Sequence, residues 1–271
     1  MAKKLLFQFD TDQTPSVFDT VVAYDGGADH ITGIPGVNID NVSSMVDGCI
    51  YTRADKKNTA IFVGGSSLED GEKVFEKLKK RFFGGFRVST MFDSNGSNTT
   101  AAAAVAHISN VCSTNSKKAV VLGGTGPVGQ RASALLAKEG ANVFITSRSL
   151  DKANSVCDSI NKRFNVNCNS LPGSNIEERR EAVSDASIVI ATGASGVILL
   201  NEDDWSSNST IEVLCDANAM PPLGISGIEM SDKAKIRHGK KTFGAIGFGG
   251  LKISVHRACI AKLFESNDLC L

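Results

Sequence analysis

Three glycines with the spacing G-x-G-x-x-G lie at positions 124, 126 and 129, between an apolar segment and a helical pattern. In such a turn the first glycine permits the sharp bend, the second lets a pyrophosphate approach, and the third lets helix and strand pack closely. The N–H groups and positive dipole of the following helix favour phosphate. A glycine-rich turn without a ligand is the alternative. We predict that the whole turn binds a dinucleotide through Gly124, Thr125, Gly126, Pro127, Val128 and Gly129.

The end of the next predicted strand bears on the choice between NAD and NADP. NAD sites usually carry an acidic residue about 20 residues beyond the glycines, where it binds the ribose 2′-hydroxyl. At the end of the predicted strand this chain instead has Ser147 and Arg148, with Lys152 one turn later. The first carboxylate after the strand is that of Asp151. A guanidinium, a hydroxyl and an ammonium suit a 2′-phosphate, so NADP is the predicted cofactor. If Arg148 is only solvated, the site would accept either cofactor.

Two later strands end in small or polar residues. Ligands of parallel α/β sheets bind at the carboxyl ends of strands. Thr192, Gly193 and Ala194 follow one predicted strand, and Asn218 follows another. We expect these residues near the nicotinamide half of the cofactor, although Asn218 could instead cap the turn that leads to Pro221.

Two further features are candidates for binding a second, polar ligand. The segment 93–100 contains a carboxylate, amides and hydroxyls before an alanine-rich helix, which suits a polar heterocycle but equally suits a helix N-cap. Lys252 follows a glycine run at the predicted opening of the last helix, where a cation is unfavourable. A residue that breaks a local rule is a functional candidate, although a surface lysine is the ordinary explanation.

The elements that position these residues alternate between strand and helix along the sequence. This alternation predicts parallel sheets flanked by helices. The polar segment 113–118 is interpreted as a linker. We therefore predict an α/β protein of two α/β domains. Residues 1–112 form a substrate domain, and residues 117–250 form a Rossmann-type doubly wound parallel sheet that binds NADP. The last strand is expected at 243–248 and a closing helix from 251, within a final segment 251–271.

Composition narrows the function classes. The 271 residues are 42% hydrophobic and 21% charged, as in soluble globular proteins. The 29 basic residues balance the 29 acidic ones, so nothing predicts a nucleic-acid or membrane-surface partner. Seven cysteines without C-x-x-C spacing and four histidines without ligand spacing predict reduced thiols and no metal site. With neither a signal peptide nor a membrane span predicted, we expect a cytoplasmic protein.

Nearly the whole chain resembles the NADP-dependent methylene-tetrahydromethanopterin dehydrogenase family. The segments that carry the resemblance are residues 5–12, 15–19, 24–33, 93–100, 124–129, 221–225 and 249–252. The resemblance implies oxidation of N5,N10-methylene-tetrahydromethanopterin to the methenyl form with NADP+, in one-carbon metabolism downstream of formaldehyde. It also implies a cleft between two domains, a C-terminal helix that returns to the first domain, and a homo-oligomer, either a trimer or a multiple of one.

The resemblance and the chemistry together suggest which residues bind the pterin. Lys252 would bind a pterin carbonyl or amide group, and Asp19 would line the cleft with it. The 93–100 turn would hold the pterin through Asp93, Asn95, Ser97, Thr99 and Thr100. Asp93 and Lys252 are the candidate catalytic residues. Direct hydride transfer needs no acid or base, which agrees with the lack of a catalytic triad or dyad in the sequence.

Two rival functions stay open from the sequence. Methylene-tetrahydrofolate dehydrogenases often use a Tyr-x-x-x-Lys arrangement, but Asp55 follows Tyr51 and Ala28 follows Tyr24 at that spacing. This argues against a cyclohydrolase and leaves folate open as a second substrate. A non-catalytic NADPH sensor is the other rival, although a sensor would not need the polar 93–100 turn.

Overall fold

A computed structural model describes residues 2–271 as two compact units. Unit 1 comprises residues 2–99 with Ile253–Leu271, and unit 2 comprises Thr100–Lys252. Each unit contains a sheet with parallel strands and flanking helices, so the predicted α/β class is confirmed. Among the described residues, none of the helices is both long and apolar enough to cross a membrane.

Unit 1 is built on a four-stranded parallel sheet with the strand order β2-β1-β3-β4. Its elements are β1 (Leu5–Asp10), α1 (Val17–Asp25), β2 (His30–Ile34), α2 (Val42–Tyr51), β3 (Thr59–Gly64), α3 (Leu68–Arg81) and β4 (Ser89–Phe92). The order reverses between β1 and β3, and open α/β sheets bind ligands at the carboxyl ends beside such a reversal. This edge of the sheet ends in Asp10, Gly64 and the residue after β4, Asp93.

Local sequence accounts for the helices beside this sheet. Ser16 caps α1 by accepting a hydrogen bond from the Asp19 N–H at 3.2 Å, and Ser67 caps α3 in the same way. Apolar residues at helical spacing bury one face of α3 against the sheet, while its lysines and glutamates face solvent. Side-chain caps therefore fix the starts of α1 and α3.

The C-terminal residues pair with the outer edge of β4. The Thr90 N–H donates to the Leu269 carbonyl at 2.8 Å, and the Leu271 N–H donates to the Thr90 carbonyl at 2.9 Å. The Phe92 N–H donates to the Leu271 carbonyl at 2.9 Å. These three bonds cover part of an edge whose own residues are all buried.

Unit 2 is built on a seven-stranded sheet with the order β10-β11-β9-β8-β5-β6-β7. The strands are β5 (Lys118–Leu122), β6 (Asn142–Ser147), β7 (Cys168–Pro172), β8 (Ile188–Ala191), β9 (Val213–Asp216), β10 (Lys233–Arg237) and β11 (Lys240–Phe243). Leaving aside the antiparallel edge strand β10, the order from β7 to β11 is the 3-2-1-4-5-6 order of a Rossmann fold. The helices are α5 (Pro127–Lys138), α6 (Leu150–Phe164) and α7 (Ile176–Val183).

Two helices continue from one unit into the other. Helix α4 (Ser97–Val111) begins in unit 1, and α8 (Ala245–Lys262) begins in unit 2. The prediction of a strand at 243–248 was wrong, because β11 ends at Phe243 and α8 starts two residues later. A short apolar run does not distinguish a buried strand from a buried helix. Here the Met230 carbonyl accepts hydrogen bonds from the N–H groups of Ile246 and Gly247, both at 2.9 Å, which ties the start of the helix to the loop between β9 and β10.

Candidate functional site

The turn from β5 to α5 contains the three glycines, and each meets a different environment. A Cβ on Gly124 would lie 2.8 Å from the Ile145 side chain, and a Cβ on Gly129 would lie 2.5 Å from the Gly124 Cα. A Cβ on Gly126 would have one neighbour within 4 Å, the Thr192 carbonyl oxygen at 3.9 Å. The first and third glycines are therefore required for packing. The second faces open space, as a position against a ligand backbone would.

Helix α5 presents free N–H groups at this turn. Gly126 is its N-cap and has no side chain to cap it, and Pro127 occupies the first helical position, where the missing N–H costs nothing. The first N–H to bond within the helix is that of Gln130, which donates to the Gly126 carbonyl at 3.0 Å. The N–H groups of Val128 and Gly129 are thus the donors that a phosphate would meet.

Basic side chains lie at the end of β6. Arg148 and Lys152 are exposed, and neither side chain forms a hydrogen bond or ion pair within residues 2–271. Ser147 accepts a hydrogen bond from the Ser149 N–H at 3.4 Å, so its hydroxyl proton can be donated elsewhere. Ser149 in turn caps α6. Two cations and a hydroxyl are therefore available for a phosphate group.

The ends of β8 and β9 also lie at the carboxyl edge of this sheet. The Thr192 hydroxyl donates to the Leu122 carbonyl at 3.2 Å, and a Cβ on Gly123 would come within 2.7 Å of the Gly193 Cα. The end of β8 is thus packed against the glycine turn. Ala194, one residue further, is exposed. Asn218, beyond the end of β9, is buried, and its side-chain nitrogen makes no hydrogen bond within the described residues.

In unit 1, the 93–100 turn is organised around Asp93. One carboxylate oxygen accepts hydrogen bonds from the N–H groups of Asn98 at 2.8 Å and Thr99 at 3.1 Å, and the other accepts from the Thr99 hydroxyl at 2.6 Å. Asp93 therefore caps the start of α4. The Ser97 hydroxyl donates to the Ser94 carbonyl at 2.7 Å, so the hydroxyls of Ser97 and Thr99 could only accept from a ligand.

The remaining predicted residues of the turn are more accessible. Asn95 is exposed and has a left-handed backbone with φ 58°, and its side chain donates to the Ser66 carbonyl at 3.1 Å. Thr100 is half-buried in the first turn of α4. The turn thus combines an internal hydrogen-bond network with one exposed amide.

A buried histidine joins two of the predicted carboxylates. The His256 Nδ1 lies 3.9 Å from an oxygen of Asp19 and 4.0 Å from an oxygen of Asp93. Its ring lies 5.3 Å, centroid to centroid, from that of Phe62 on β3. Asp10 adds a third carboxylate, because a Cβ on Gly64 would lie 3.6 Å from both Asp10 and Asp19 oxygens. Unit 1 therefore concentrates acidic groups at the carboxyl edge of its sheet.

Lys252 occupies a different position from the one predicted. Helix α8 begins at Ala245, so Lys252 lies two turns inside it and not at its opening. The argument from an unfavourable helix N-terminus was therefore wrong. Lys252 and His256 are four residues apart, which puts them on one face of α8. The sequence analysis assigned no role to His256 or Asp10, and this i, i+4 spacing is the signal that could have indicated the histidine.

Sequence comparison finds related proteins that match all or part of this chain. Residues 17–95 match the family described as methylene-tetrahydromethanopterin dehydrogenase, N-terminal. The chain is 59% identical to the bifunctional protein MdtA of Methylorubrum extorquens, over 99% of this chain and 94% of that protein. It is 30% identical to the NAD(P)-dependent methylenetetrahydromethanopterin dehydrogenase of the same organism, over 100% of this chain and 95% of that protein.

Solved structures with low sequence identity share the fold. Shikimate 5-dehydrogenase from Listeria monocytogenes, in complex with shikimate and NAD, superposes with a TM-score of 0.63 at 12% identity, over 97% of this chain and 96% of that chain. Quinate dehydrogenase from Corynebacterium glutamicum, in complex with NAD, gives 0.60 at 13% identity, over 98% and 95%. These similarities support the Rossmann-type assignment of the fold.

Proposed function

The chain belongs to the methylene-tetrahydromethanopterin dehydrogenase family, and we propose that it oxidises N5,N10-methylene-tetrahydromethanopterin to the methenyl form by direct hydride transfer to NADP+. The observation that carries the proposal is the β5–α5 turn. Its second glycine faces open space, beside the uncapped N-terminus of α5. Such a turn at the first strand of a Rossmann sheet suits a dinucleotide pyrophosphate.

The basic cluster after β6 supports NADP over NAD. Arg148 can bind a 2′-phosphate through two parallel hydrogen bonds, while the hydroxyl of Ser147 and the ammonium of Lys152 add a donor and a charge. The side chains of Arg148 and Lys152 have no partner within residues 2–271 that would have to be displaced. Thr192, Gly193, Ala194 and Asn218 would contact the nicotinamide half.

Polar groups in and near the 93–100 turn support binding of the pterin. Asn95 and Thr100 would contact it directly, and Asp93, Ser97 and Thr99 would shape the turn that presents them. Asp19 supplies a carboxylate beside Asp93, and Lys252 would bind a pterin carbonyl or amide group. The buried His256 lies near both carboxylates and would fix their positions.

The proposed reaction requires no acid–base catalysis by these residues. Bound NADP+ would supply the hydride-accepting ring. The methylene carbon lies between two amine nitrogens, which share the positive charge once the hydride has left, so no side chain has to give or take a proton. The carboxylates of Asp19 and Asp93 would stabilise that charge electrostatically, and the other residues would orient the reacting carbon.

We propose that methylene-tetrahydrofolate is a second substrate, that the protein acts in the cytoplasm, and that it assembles as a trimer or a multiple of one. Exposed apolar side chains along α1 support assembly, since Val17 is 74% and Val21 53% exposed. Light scattering coupled to size-exclusion chromatography should give at least three times the 28.6 kDa mass of one chain.

A turnover assay tests the proposed function. Purified protein is mixed with methylene-tetrahydromethanopterin and either NADP+ or NAD+, and reduced cofactor is followed by absorbance. We expect the substrate to reduce NADP+ and not NAD+. Equal rates with both cofactors would refute the 2′-phosphate argument but keep the enzyme. Tight NADPH binding without turnover would instead favour the sensor function.

A further inference from the structure

A buried carboxylate at the end of β9 fixes the loop that follows it. One oxygen of Asp216 accepts a hydrogen bond from the Asn218 N–H at 2.9 Å, and the other accepts from the Ile225 N–H at 2.7 Å. These bonds join the two ends of the loop 217–225. Asp216 has no exposed surface, so the two bonds form away from water, where they are strongest.

The same loop is hydrogen-bonded to the segment that follows β8. The Gly224 carbonyl accepts hydrogen bonds from the N–H groups of Leu199 at 2.7 Å and Leu200 at 3.1 Å. Leu199 packs against Gly193, where an added Cβ would lie 2.9 Å from the leucine side chain. The position of the loop is therefore coupled to the glycine-rich edge of the sheet where we place the cofactor.

Asn218 brings an unsatisfied donor to this edge. It is 7% exposed, and its side-chain nitrogen has no hydrogen-bond partner within the described residues. A buried donor without an acceptor is unfavourable, so such a group is usually satisfied by a ligand or by water. The nicotinamide ring carries a carboxamide, whose carbonyl oxygen is an acceptor of the kind that this donor lacks.

We propose that Asp216 is a positioning residue, which holds the loop 217–225 so that the Asn218 side chain donates to the carboxamide oxygen of the nicotinamide. This inference rests on the proposed binding of NADP(H). Gly224 completes the arrangement, since a Cβ there would lie 3.2 Å from the Asn218 side-chain nitrogen and 3.3 Å from an Asp216 oxygen. The three residues form a compact unit in which only the asparagine amide is left for a ligand.

Protonation of Asp216 should weaken this arrangement. Burial raises the pKa of the Asp216 carboxyl to about 6, and the hydrogen bonds from the Asn218, Ile225 and Gly224 N–H groups oppose that rise. The neighbouring titratable group is Cys215, and burial raises the pKa of its thiol so that it stays neutral near pH 6. A neutral carboxyl accepts hydrogen bonds less strongly than a carboxylate, so the loop should loosen below pH 6.

The test is a set of NADPH dissociation constants measured by fluorescence between about pH 5.5 and pH 8. The proteins are the wild type, Asp216→Asn, Asn218→Ala and the double variant. Asn218→Ala should raise Kd about tenfold at pH 8, as expected for one lost hydrogen bond to a ligand. Because Asp216 acts through Asn218, the double variant should bind no more weakly than Asn218→Ala alone. A loss in the double variant equal to the product of the two single losses would overturn the proposal.

The pH profile provides a second readout that a merely structural role would not change. The cofactor's 2′-phosphate itself titrates near pH 6, so the contribution of Asp216 is the difference between the wild-type and Asp216→Asn profiles. If Asp216→Asn does not fold, the wild type is compared with Asn218→Ala, in which the extra low-pH loss should vanish. Identical profiles would overturn the inference. Asp232→Asn removes another buried carboxylate of unit 2 and should keep the wild-type Kd and profile.

The outcomes also separate this inference from the proposed function. Wild-type protein that fails to bind NADPH would refute the proposed cofactor and the inference with it. Wild-type protein that binds NADPH and turns over substrate, with independent effects of Asp216 and Asn218, would refute the inference alone.

Discussion

Alanine at two glycines of the β5–α5 turn should separate cofactor binding from folding. At Gly126 the backbone is extended, with φ −78° and ψ 173°, and an added Cβ would have no protein atom closer than 3.9 Å. Alanine fits there without strain and reduces the entropy of the unfolded chain. Gly126→Ala should therefore raise the free energy of unfolding by about 0.4–1 kcal/mol. Its methyl group would occupy the approach of the pyrophosphate, so the NADPH Kd should rise at least tenfold, or about 1.4 kcal/mol.

Gly129→Ala should have the opposite effect on stability. Its Cβ would lie 2.5 Å from the Gly124 Cα and 2.7 Å from the Gly124 carbonyl oxygen. Both are backbone atoms, which cannot move aside as the end of a flexible side chain can. The closely packed helix must shift away from the strand, and overpacking of this kind costs about 1–3 kcal/mol. This variant should lose stability even without cofactor.

The assay for both variants combines urea denaturation of the cofactor-free protein with an NADPH fluorescence titration. Gly48→Ala is the matched control, because an added Cβ there has no neighbour within 4 Å and the residue lies in helix α2. It should gain about 0.5–1 kcal/mol of stability and bind NADPH as the wild type does. Gly126→Ala with wild-type affinity for NADPH would refute the assignment of the turn to the pyrophosphate.

Three further predictions test other parts of the site. Arg148→Ala should raise the KM for NADP+ roughly ten- to hundredfold, as expected for the loss of a charged hydrogen-bond pair, and should leave the KM for NAD+ unchanged. Equal changes in both KM values would contradict a role of Arg148 in binding the 2′-phosphate. Lys252→Ala should lower turnover or raise the pterin KM at least about tenfold. The control Lys262→Ala, at the exposed end of α8, should have no effect. Unchanged kinetics of Lys252→Ala would show that Lys252 is not part of the site. Burial of the charged Asp216 carboxylate lowers the free energy of unfolding, even though the charged form makes the stronger hydrogen bonds to the loop 217–225. Because the pKa of Asp216 is raised in the folded state, global stability is therefore highest at low pH and falls as pH rises through about 6. Relative to Asp216→Asn, the wild type should lose about 2 kcal/mol of unfolding free energy between about pH 4.5 and pH 7.5 in urea denaturation, and parallel curves would contradict the raised pKa.

The Rossmann sheet could be predicted from sequence because its signals are local. Three signals lie within about 30 residues, the length of a βαβ unit: the glycine spacing, the apolar strand before it, and the next strand at the expected distance. The start of α8 could not be predicted in this way. Its first turn is fixed by hydrogen bonds to the Met230 carbonyl, far away in sequence, and the apolar run 243–248 is compatible with either kind of element.

In the candidate site, too, local sequence predicts some residues, while contacts between distant parts of the chain determine the others. Residues that directly follow strands, such as Asp93 and Asn218, could be chosen because parallel strands end at one edge of a sheet. The proximity of His256 to Asp19 and Asp93 joins three distant parts of the chain, and no spacing in the sequence specifies it. The sequence of the 93–100 turn suits either a ligand or a helix cap, and the hydrogen bonds of the Asp93 carboxylate show that it caps α4.

The pairing of residues 269–271 with β4 also matters for how the protein behaves outside its active site. An uncovered edge strand offers unpaired N–H and C=O groups to strands of other molecules, which promotes aggregation and strand exchange. Thr90 and Phe92 have those groups partly occupied by Leu269 and Leu271. A truncation that removes these residues would expose the buried edge of β4. Such a protein should therefore be less soluble, even though neither the cofactor turn nor the acidic edge of unit 1 has been altered.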